Sequence, residues 1–156
     1  MPTFSHVSRL PVPAERTFAW HHRPDALRRL TPPRPRVTVV EAPASLAPGT
    51  RAVLDLHLGP LRLRWVAEHV AYEHRGAEGG TFVDEQRAGP FRRWRHEHIV
   101  SADGRQGSLL HDRVEWDVPF LPGWLVRPFV HWRLRALFRW RHRATAAALG
   151  AALEDA

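Results

Sequence analysis

The stretch Thr81–Asp117 decides the fold, and it reads TFVDEQRAGPFRRWRHEHIVSADGRQGSLLHDRVEWD. Turn signals at Gly89-Pro90 and Asp103-Gly104 divide it into three predicted strands. Because alternate side chains of a strand point to opposite faces, the stretch has two distinct faces. One is charged almost throughout and is predicted to meet water; it comprises Val83, Glu85, Arg87, Arg93, Arg95, Glu97, His111, Arg113, Glu115 and Asp117.

The opposite face is predicted to be buried, yet ionisable side chains stand among its apolar ones. It comprises Phe82, Asp84, Gln86, Trp94, His96, His98, Leu110, Asp112, Val114 and Trp116. Ionisable groups removed from water destabilise a protein unless they are paired. Such groups also collect at functional sites, so this face is the main functional indication in the sequence.

The segments that precede this stretch predict four more strands and two short helices. Residues 51–58 and 61–72 alternate around the turn Gly59-Pro60, which predicts a hairpin with Ala52, Leu54, Leu56 and Leu58 on one face. Residues 3–10 and Val37–Val40 are also predicted strands. Between these two, one short helix is expected to begin at Pro13 and another to cover residues 24–30, before Thr31-Pro32-Pro33. The order predicts an antiparallel meander of about seven strands.

From Gly123 the hydrophobic period changes to that of a helix, predicted over residues 124–149. One stripe of this helix is apolar and is expected to pack on the sheet: Val126, Val130, Leu134, Leu137, Phe138, Ala144 and Ala148, flanked by Phe129, Ala136 and Trp140. The opposite side holds Arg135, Arg139, His142 and Arg143, and is expected to face water. Arg141 falls inside the apolar stripe, where a cation needs either a salt bridge, to Asp84 or Asp112, or an anionic ligand.

Composition narrows the function classes. A length of 156 residues predicts a single domain over residues 1–156, and seven Trp favour a wide core or a ligand cavity. The absence of Cys excludes disulfides and thiolate metal sites. The 23 basic residues are all Arg and are spread along the chain, so no nucleic-acid partner is expected. With no long apolar run and no secretory signal, we expect a cytoplasmic protein without stable membrane insertion.

The element order resembles the SRPBCC superfamily, the START-like and birch-pollen-allergen-like helix-grip proteins. Four motifs carry the resemblance over essentially the whole chain: Leu30-Thr31-Pro32-Pro33, Gly89-Pro90-Phe91, Trp94-Arg95-His96-Glu97-His98 and Phe138-Arg139-Trp140-Arg141. It looks closest to a bacterial ligand-binding, cyclase/dehydrase-like branch, some members of which are fused to a sugar-nucleotide epimerase-like domain. The resemblance implies an α+β helix-grip fold, a curved antiparallel sheet wrapped around the long C-terminal helix. It also implies a functional link to an epimerase-like protein.

The resemblance further implies a cavity between sheet and helix that binds a hydrophobic or amphipathic small molecule, such as a lipid, a quinone or a polyketide. No cofactor is expected. The sequence leaves open whether Trp side chains fill this cavity, and it does not determine the oligomeric state. The expected ligand-binding residues are Trp65, His69, Phe82, Asp84, Gln86, Trp94, His96, His98, Asp112, Val114, Trp116, Leu134, Leu137, Phe138 and Arg141; Leu54, Leu56, Leu58, Leu63 and Leu110 complete the wall.

The register of the three strands predicts a buried ionisable group within this cavity. A turn at Asp103-Gly104 places His98 opposite Leu110 and His96 opposite Asp112, and a tight turn at Gly89-Pro90 places Asp84 near Trp94 or His96. Residues that face each other across a strand pair approach to about 5 Å at Cβ. We therefore expect an Asp84–His96–Asp112 group with Arg141 above it. An error in this register would be an even slip, because an odd slip turns the inner face outward.

Three other uses of these residues remain open. His96, with Asp112 or Asp84, is a candidate general acid–base pair, as in polyketide cyclases of this fold; no residue is assigned as catalytic. His96 and His98 share a strand face, so with Asp84 or Asp112 they also match a metal-ligand set, but this spacing alone is weak and no metal is assigned. Trp124, Trp132 and Trp140 could form a membrane- or protein-interaction surface. Binding without catalysis is the favoured hypothesis.

Overall fold

The computed structural model describes residues 1–104, 106–119 and 122–153, so the last three residues of the predicted domain lie outside it. Within the described residues, seven strands form one antiparallel sheet in the order β1-β7-β6-β5-β4-β3-β2. The strands are β1 Thr3–Leu10, β2 Val37–Glu41, β3 Arg51–Leu58, β4 Leu61–His74, β5 Gly79–Ala88, β6 Arg93–Asp103 and β7 Gly107–Asp117. The helices are α1 Ala14–His21, α2 Ala26–Arg29 and α3 Gly123–Ala148. The predicted α+β helix-grip fold, with two short helices after the first strand, is confirmed.

The two faces of the sheet differ in polarity, as the alternation predicts. On the inner face, Trp94, His96, Val114 and Trp116 are buried. On the outer face, cross-strand ion pairs join neighbouring strands, such as Arg51 Nε to Glu68 Oε2 at 2.7 Å. The sheet is curved, and irregularities in the pairing of β4 with β5 contribute to this, since bulges bend a strand.

Helix α3 packs on one half of the sheet and leaves the other half uncovered. The strands that α3 mainly contacts are β1 and β7. The middle of α3 buries Leu134 and Phe138 against Phe4 and Trp116, and its end packs beside α1 in a second cluster that contains Phe18. The inner faces of β3 and β4 therefore lack a covering helix.

The buried face of α3 differs from the predicted stripe. Leu134 and Phe138 are buried as expected. His142 is also buried, at 1% exposure, although the helical wheel places it on the solvent-facing side. Val130 and Leu137 are only partly buried, because they border an open cavity rather than the sheet. The helix is thus turned so that a mixed polar and apolar face grips β1 and β7.

The register of β6 and β7 corrects the predicted pairing by two residues. His98 pairs with Asp112 and His96 with Val114, whereas the predicted partners were Leu110 and Asp112. The turn between the strands is centred one residue further along the chain than assumed, since Asp103 pairs with Gly107. Asp84 pairs with His96, one of its two predicted neighbours. The slip is even, so every side chain keeps its face.

Candidate functional site

A cavity of about 750 Å³ lies between the uncovered half of the sheet and α3. Its wall is mainly apolar, and it is bounded by β3, β4, the α2–β2 segment and the inner edge of α3. Ten of the expected ligand-binding residues line it: Trp65, His69, Phe82, Asp84, Trp94, His96, His98, Leu134, Leu137 and Arg141. Leu54, Leu56, Leu58 and Leu63 line it as well. A largely apolar cavity with a few polar groups has the character of a small-molecule site.

The other expected residues lie outside the cavity wall. Asp112, Val114, Trp116 and Phe138 are buried behind it, where α3 packs on β1, β6 and β7. Leu110 is in the core beside α1. The side chain of Gln86 instead holds the β5–β6 turn, because its Nε2 donates to the Phe91 carbonyl oxygen at 2.6 Å. The residues of β7 are excluded from the cavity because α3 covers that strand directly.

Part of the wall was missed by the sequence analysis. The segment from α2 to β2 contributes Leu27, Leu30 and residues 31–35, and the β5–β6 turn contributes Phe91. Phe129 and Trp140 add the near side of α3. The motif Leu30-Thr31-Pro32-Pro33 was interpreted as a helix stop and as part of the family resemblance, but not as part of the wall. Its prolines and leucine were the available signal, since a loop rich in apolar residues is usually packed against something.

The Trp side chains do not fill the cavity. Trp65 and Trp94 meet edge to face, with ring centroids 4.9 Å apart, and Phe91 lies 4.9 Å from Trp94. The three rings close one end of the space. The remaining volume is within the size range of pockets that bind drug-sized ligands.

A ring of two carboxylates and two imidazoles forms the polar part of the wall and extends behind it to Asp112. His96 Nε2 donates to Asp112 Oδ1 at 2.7 Å, and its Nδ1 lies 3.5 Å from Asp84 Oδ2. His98 also lies between the two carboxylates, but its two nitrogens have exchanged neighbours. Its Nδ1 is 3.0 Å from Asp112 Oδ1 and its Nε2 is 3.0 Å from Asp84 Oδ2. The predicted Asp84–His96–Asp112 group is therefore present in space despite the shifted register, and His98 is its fourth member.

The ring is anchored on its buried side by a residue that the sequence analysis placed in water. His142 Nε2 donates to Asp112 Oδ2 at 2.6 Å, and Ser8 Oγ lies 2.7 Å from His142 Nδ1. Ser8 belongs to β1, His142 to α3 and Asp112 to β7, so these hydrogen bonds join three elements. A signal was available, because on a wheel of 100° per residue His142 lies one turn from Phe138.

The charges of the ring support one another. Burial disfavours the ionised forms of Asp84 and Asp112, but hydrogen bonds from the histidines outweigh it and hold the pKa of both carboxyls well below the usual range. Burial likewise opposes charging of His96, yet its hydrogen bonds to Asp112 and Asp84 raise its pKa. The ring thus keeps two carboxylates ionised in the interior, which cations must balance.

Arg141 lies on the cavity wall without a carboxylate partner among the described residues. Its Nε donates to the Leu30 carbonyl oxygen at 3.1 Å, so it ties α3 to the end of α2. Burial lowers its pKa, and the charges of Asp112 and Asp84 oppose that shift. The salt bridge considered for Arg141 is therefore not formed, and the rest of its guanidinium stays available to the cavity.

The three helix Trp considered for an interaction surface have different environments. Trp124 is 76% exposed and Trp132 is 61% exposed. Trp140 instead lines the cavity. No helix in the described part of the chain is long and apolar enough to cross a membrane.

Comparison with known proteins identifies the fold. A family model described as "Domain of unknown function (DUF8410)" matches residues 73–149, slightly less than half of the chain. None of the curated proteins matches the sequence significantly. Norcoclaurine synthase from Thalictrum flavum, in complex with dopamine and hydroxybenzaldehyde, is 12% identical with a TM-score of 0.69, over 96% of this chain and 87% of that chain.

Two bacterial structures agree with it. A START superfamily protein from Mycobacterium smegmatis is 13% identical with a TM-score of 0.63, over 88% of this chain and 92% of that chain. A nucleoside-diphosphate sugar epimerase from Corynebacterium glutamicum is 27% identical with a TM-score of 0.67. That match covers 96% of this chain but only 29% of the epimerase. These likenesses, which span nearly the whole chain, confirm the predicted SRPBCC-type helix-grip fold.

Proposed function

We propose that this chain, which has the SRPBCC-type helix-grip fold, binds a hydrophobic or amphipathic small molecule between its sheet and α3. The observation that carries the proposal is the cavity of about 750 Å³, lined mainly by apolar side chains that no other part of the described chain covers. Exposed apolar surface is unfavourable in water, so a ligand that covers Leu54, Leu56 and Leu137 gains free energy of binding. A lipid, a quinone or a polyketide has the required character.

The polar side of the wall supports an amphipathic ligand over a purely apolar one. Arg141 and the edges of His96 and His98 face the same cavity as the leucines. A ligand with a carboxylate, phenol or carbonyl group at one end can hydrogen-bond to these side chains while its apolar body contacts β3 and β4. Loss of the hydrogen bonds would weaken affinity without removing the apolar contacts.

The test is to fill the cavity and compare the result with a substitution on the other face of the same strand. Leu54→Trp extends into the cavity, whereas the neighbouring Val53 points to the outer face, so Val53→Trp is the matched control. With anilinonaphthalenesulfonate as the fluorescent probe, we expect Leu54→Trp to weaken binding by about tenfold or more, since one large side chain removes much of the space. Val53→Trp should bind like the unmodified protein.

Equal probe binding by both variants would contradict the proposal. Native mass spectrometry of protein purified from its own source complements the probe, because a retained small molecule identifies its chemical class. The same experiment separates binding from catalysis. A binding protein returns the extracted molecule unchanged after incubation, whereas a cyclase or dehydratase that uses His96 with Asp112 or Asp84 returns product.

A functional link to an epimerase-like protein remains a prediction. Its support is the 27% identity with a part of the Corynebacterium glutamicum chain.

A further inference from the structure

Three ligand-type atoms converge on one point of the cavity wall. They are Asp84 Oδ2, His96 Nδ1 and His98 Nε2, and these residues bring their ligand atoms within 4.8 Å of one another. Asp84 Oδ2 lies 3.5 Å from the His96 nitrogen and 3.0 Å from the His98 nitrogen. Ligand atoms bound about 2.0–2.1 Å from a tetrahedral Zn²⁺ are about 3.3 Å apart. The observed spacing therefore matches the spacing of atoms that share one metal ion.

Asp112 orients the two imidazoles, so that the other nitrogen of each ring faces Asp84. Its Oδ1 accepts from the far nitrogen of each ring, His96 Nε2 at 2.7 Å and His98 Nδ1 at 3.0 Å. Asp84 Oδ2 faces the other nitrogen of each ring and is hydrogen-bonded to His98 Nε2 at 3.0 Å, so a metal ion that binds His96 Nδ1 and His98 Nε2 takes the place of protons there. A carboxylate behind each metal-binding histidine is the usual outer partner in such sites.

The frame around the two rings is rigid. The Phe82 ring stacks on His98 with centroids 4.0 Å apart, and the Phe138 ring meets His96 edge to face at 5.0 Å. The other oxygen of Asp112 is held by His142 at 2.6 Å. A ligand set held by packing and outer hydrogen bonds is pre-organised, so little ordering is required when an ion binds.

The three atoms are reachable from the cavity, and their outer partner is not. Asp84, His96 and His98 belong to the cavity wall, whereas Asp112 lies behind it and is 4% exposed. We propose that Asp84, His96 and His98 form a binding site for a divalent transition-metal ion at the floor of the cavity, with Asp112 as the outer carboxylate that orients both histidines.

The donor set selects the class of metal. Two imidazoles and one carboxylate suit Zn²⁺, Co²⁺ or Fe²⁺, whereas Mg²⁺ and Ca²⁺ prefer oxygen ligands, and the sequence holds no Cys to favour softer ions. Three protein ligands leave at least one coordination position, which opens into the cavity. A water molecule or an oxygen of a bound molecule would complete the coordination there.

The proposal does not depend on the proposed function, since a metal ion binds these three atoms whether or not the cavity holds an organic ligand. The probe is therefore the metal alone, added to the full chain after treatment with a chelator. We expect isothermal titration with Zn²⁺ to give one bound equivalent, and Co²⁺ to produce the visible absorption of a low-symmetry site with nitrogen and oxygen ligands.

Asp84→Asn and His98→Asn remove one ligand each with little change of volume, and each should weaken Zn²⁺ binding by about a hundredfold or more. Asp112→Asn should weaken it by about 10–100-fold, as loss of an outer partner does. His111→Gln is the matched control, because His111 lies on the outer face of β7 and outside the three-residue set. It should bind Zn²⁺ with nearly unchanged affinity.

Circular dichroism of each variant confirms that it is folded before the affinities are compared. If Asp84→Asn and His98→Asn bind Zn²⁺ as tightly as the unmodified protein, the ion occupies surface histidines and the proposal is wrong. Failure of the unmodified protein to bind Zn²⁺ or Co²⁺ at micromolar concentration would also overturn it. Neither result would bear on probe binding by the cavity.

Discussion

At the scale of single residues, Asp112 is the point on which the interior polar network depends. It accepts from His96, His98 and His142, which belong to two different elements, and it is 4% exposed. Removing one partner of a buried charged group leaves the others without compensation in a medium of low dielectric constant. Asp112 therefore affects stability more than any single ion pair on the outer face.

We expect Asp112→Ala to lower the free energy of unfolding by about 3–5 kcal/mol, because three buried imidazoles lose their acceptor. Glu115→Ala is the control on the outer face of the same strand, where its ion pair with Arg113 is largely solvated at 3.3 Å. That substitution should change stability by less than about 1 kcal/mol. Urea unfolding monitored by Trp fluorescence measures both, and similar losses would contradict the central place given to Asp112.

Residue-scale prediction from sequence succeeded for side chains on strands and failed for one on a helix. Strict alternation identified Asp84, His96, His98 and Asp112 as inward-facing, because a period of two permits only two directions. His142 was missed because a helical wheel has a continuum of directions, and the polar character of His moved it to the wet side. Hydrogen bonds with Asp112 and Ser8 make burial of His142 favourable, and both contacts are tertiary.

At the scale of elements, α3 has one face that packs on the sheet and another that borders the cavity. The face with Leu134 and Phe138 grips the sheet, while Leu137 lies beside them but borders the cavity. A hydrophobic stripe in the sequence does not distinguish the two, since both are apolar. This is why the element was predicted nearly to its ends, Gly123–Ala148 against 124–149, while its contact face was not.

The two faces predict different responses to the same kind of truncation. Phe138→Ala should destabilise the protein by about 3–5 kcal/mol, because Phe138 is 0% exposed and packs on Phe4, so its loss opens a new cavity. Leu137→Ala should cost about 1 kcal/mol in the ligand-free protein, since Leu137 already borders open space. Thermal unfolding of the two variants measures the difference, and equal losses would mean that the cavity is closed in solution.

At the scale of the whole molecule, the topology was accessible from sequence and the cavity was only partly so. Turn signals and alternation predicted the strands, and the meander placed neighbours in order. The cavity wall from Leu30 to Pro35 was not found, because it has no regular period and its place depends on the curvature of the sheet. The even slip between β6 and β7 likewise reflects a turn position that the local sequence left ambiguous.

The buried histidines make stability depend on pH. Burial lowers the pKa of His21 from its ordinary value of 6.5 to about 4. Between those values the unfolded chain binds more protons than the native one, so stability falls as the pH decreases, by on the order of 3 kcal/mol at most from this residue. The charges of His98 and His142 also lower the pKa of His21, whereas the charge of Asp112 raises it.

We expect the free energy of unfolding, measured with urea at several pH values from about 6.5 to about 4, to fall steadily for the unmodified protein. His21→Asn cannot gain that proton, so its dependence on pH in this range should be shallower even if the variant is less stable throughout. A parallel dependence in both proteins would assign the effect to another group.

The uncovered leucines of β3 and β4 have a thermodynamic consequence. A molecule that fills the cavity completes the hydrophobic core, so it binds the native state and not the unfolded one. At a free concentration of one hundred times its dissociation constant, such a molecule adds about 2.7 kcal/mol to the free energy of unfolding. If the proposed ligand is bound, the melting temperature of a preparation is a measure of its occupancy, and preparations that retain different amounts of ligand should differ in melting temperature.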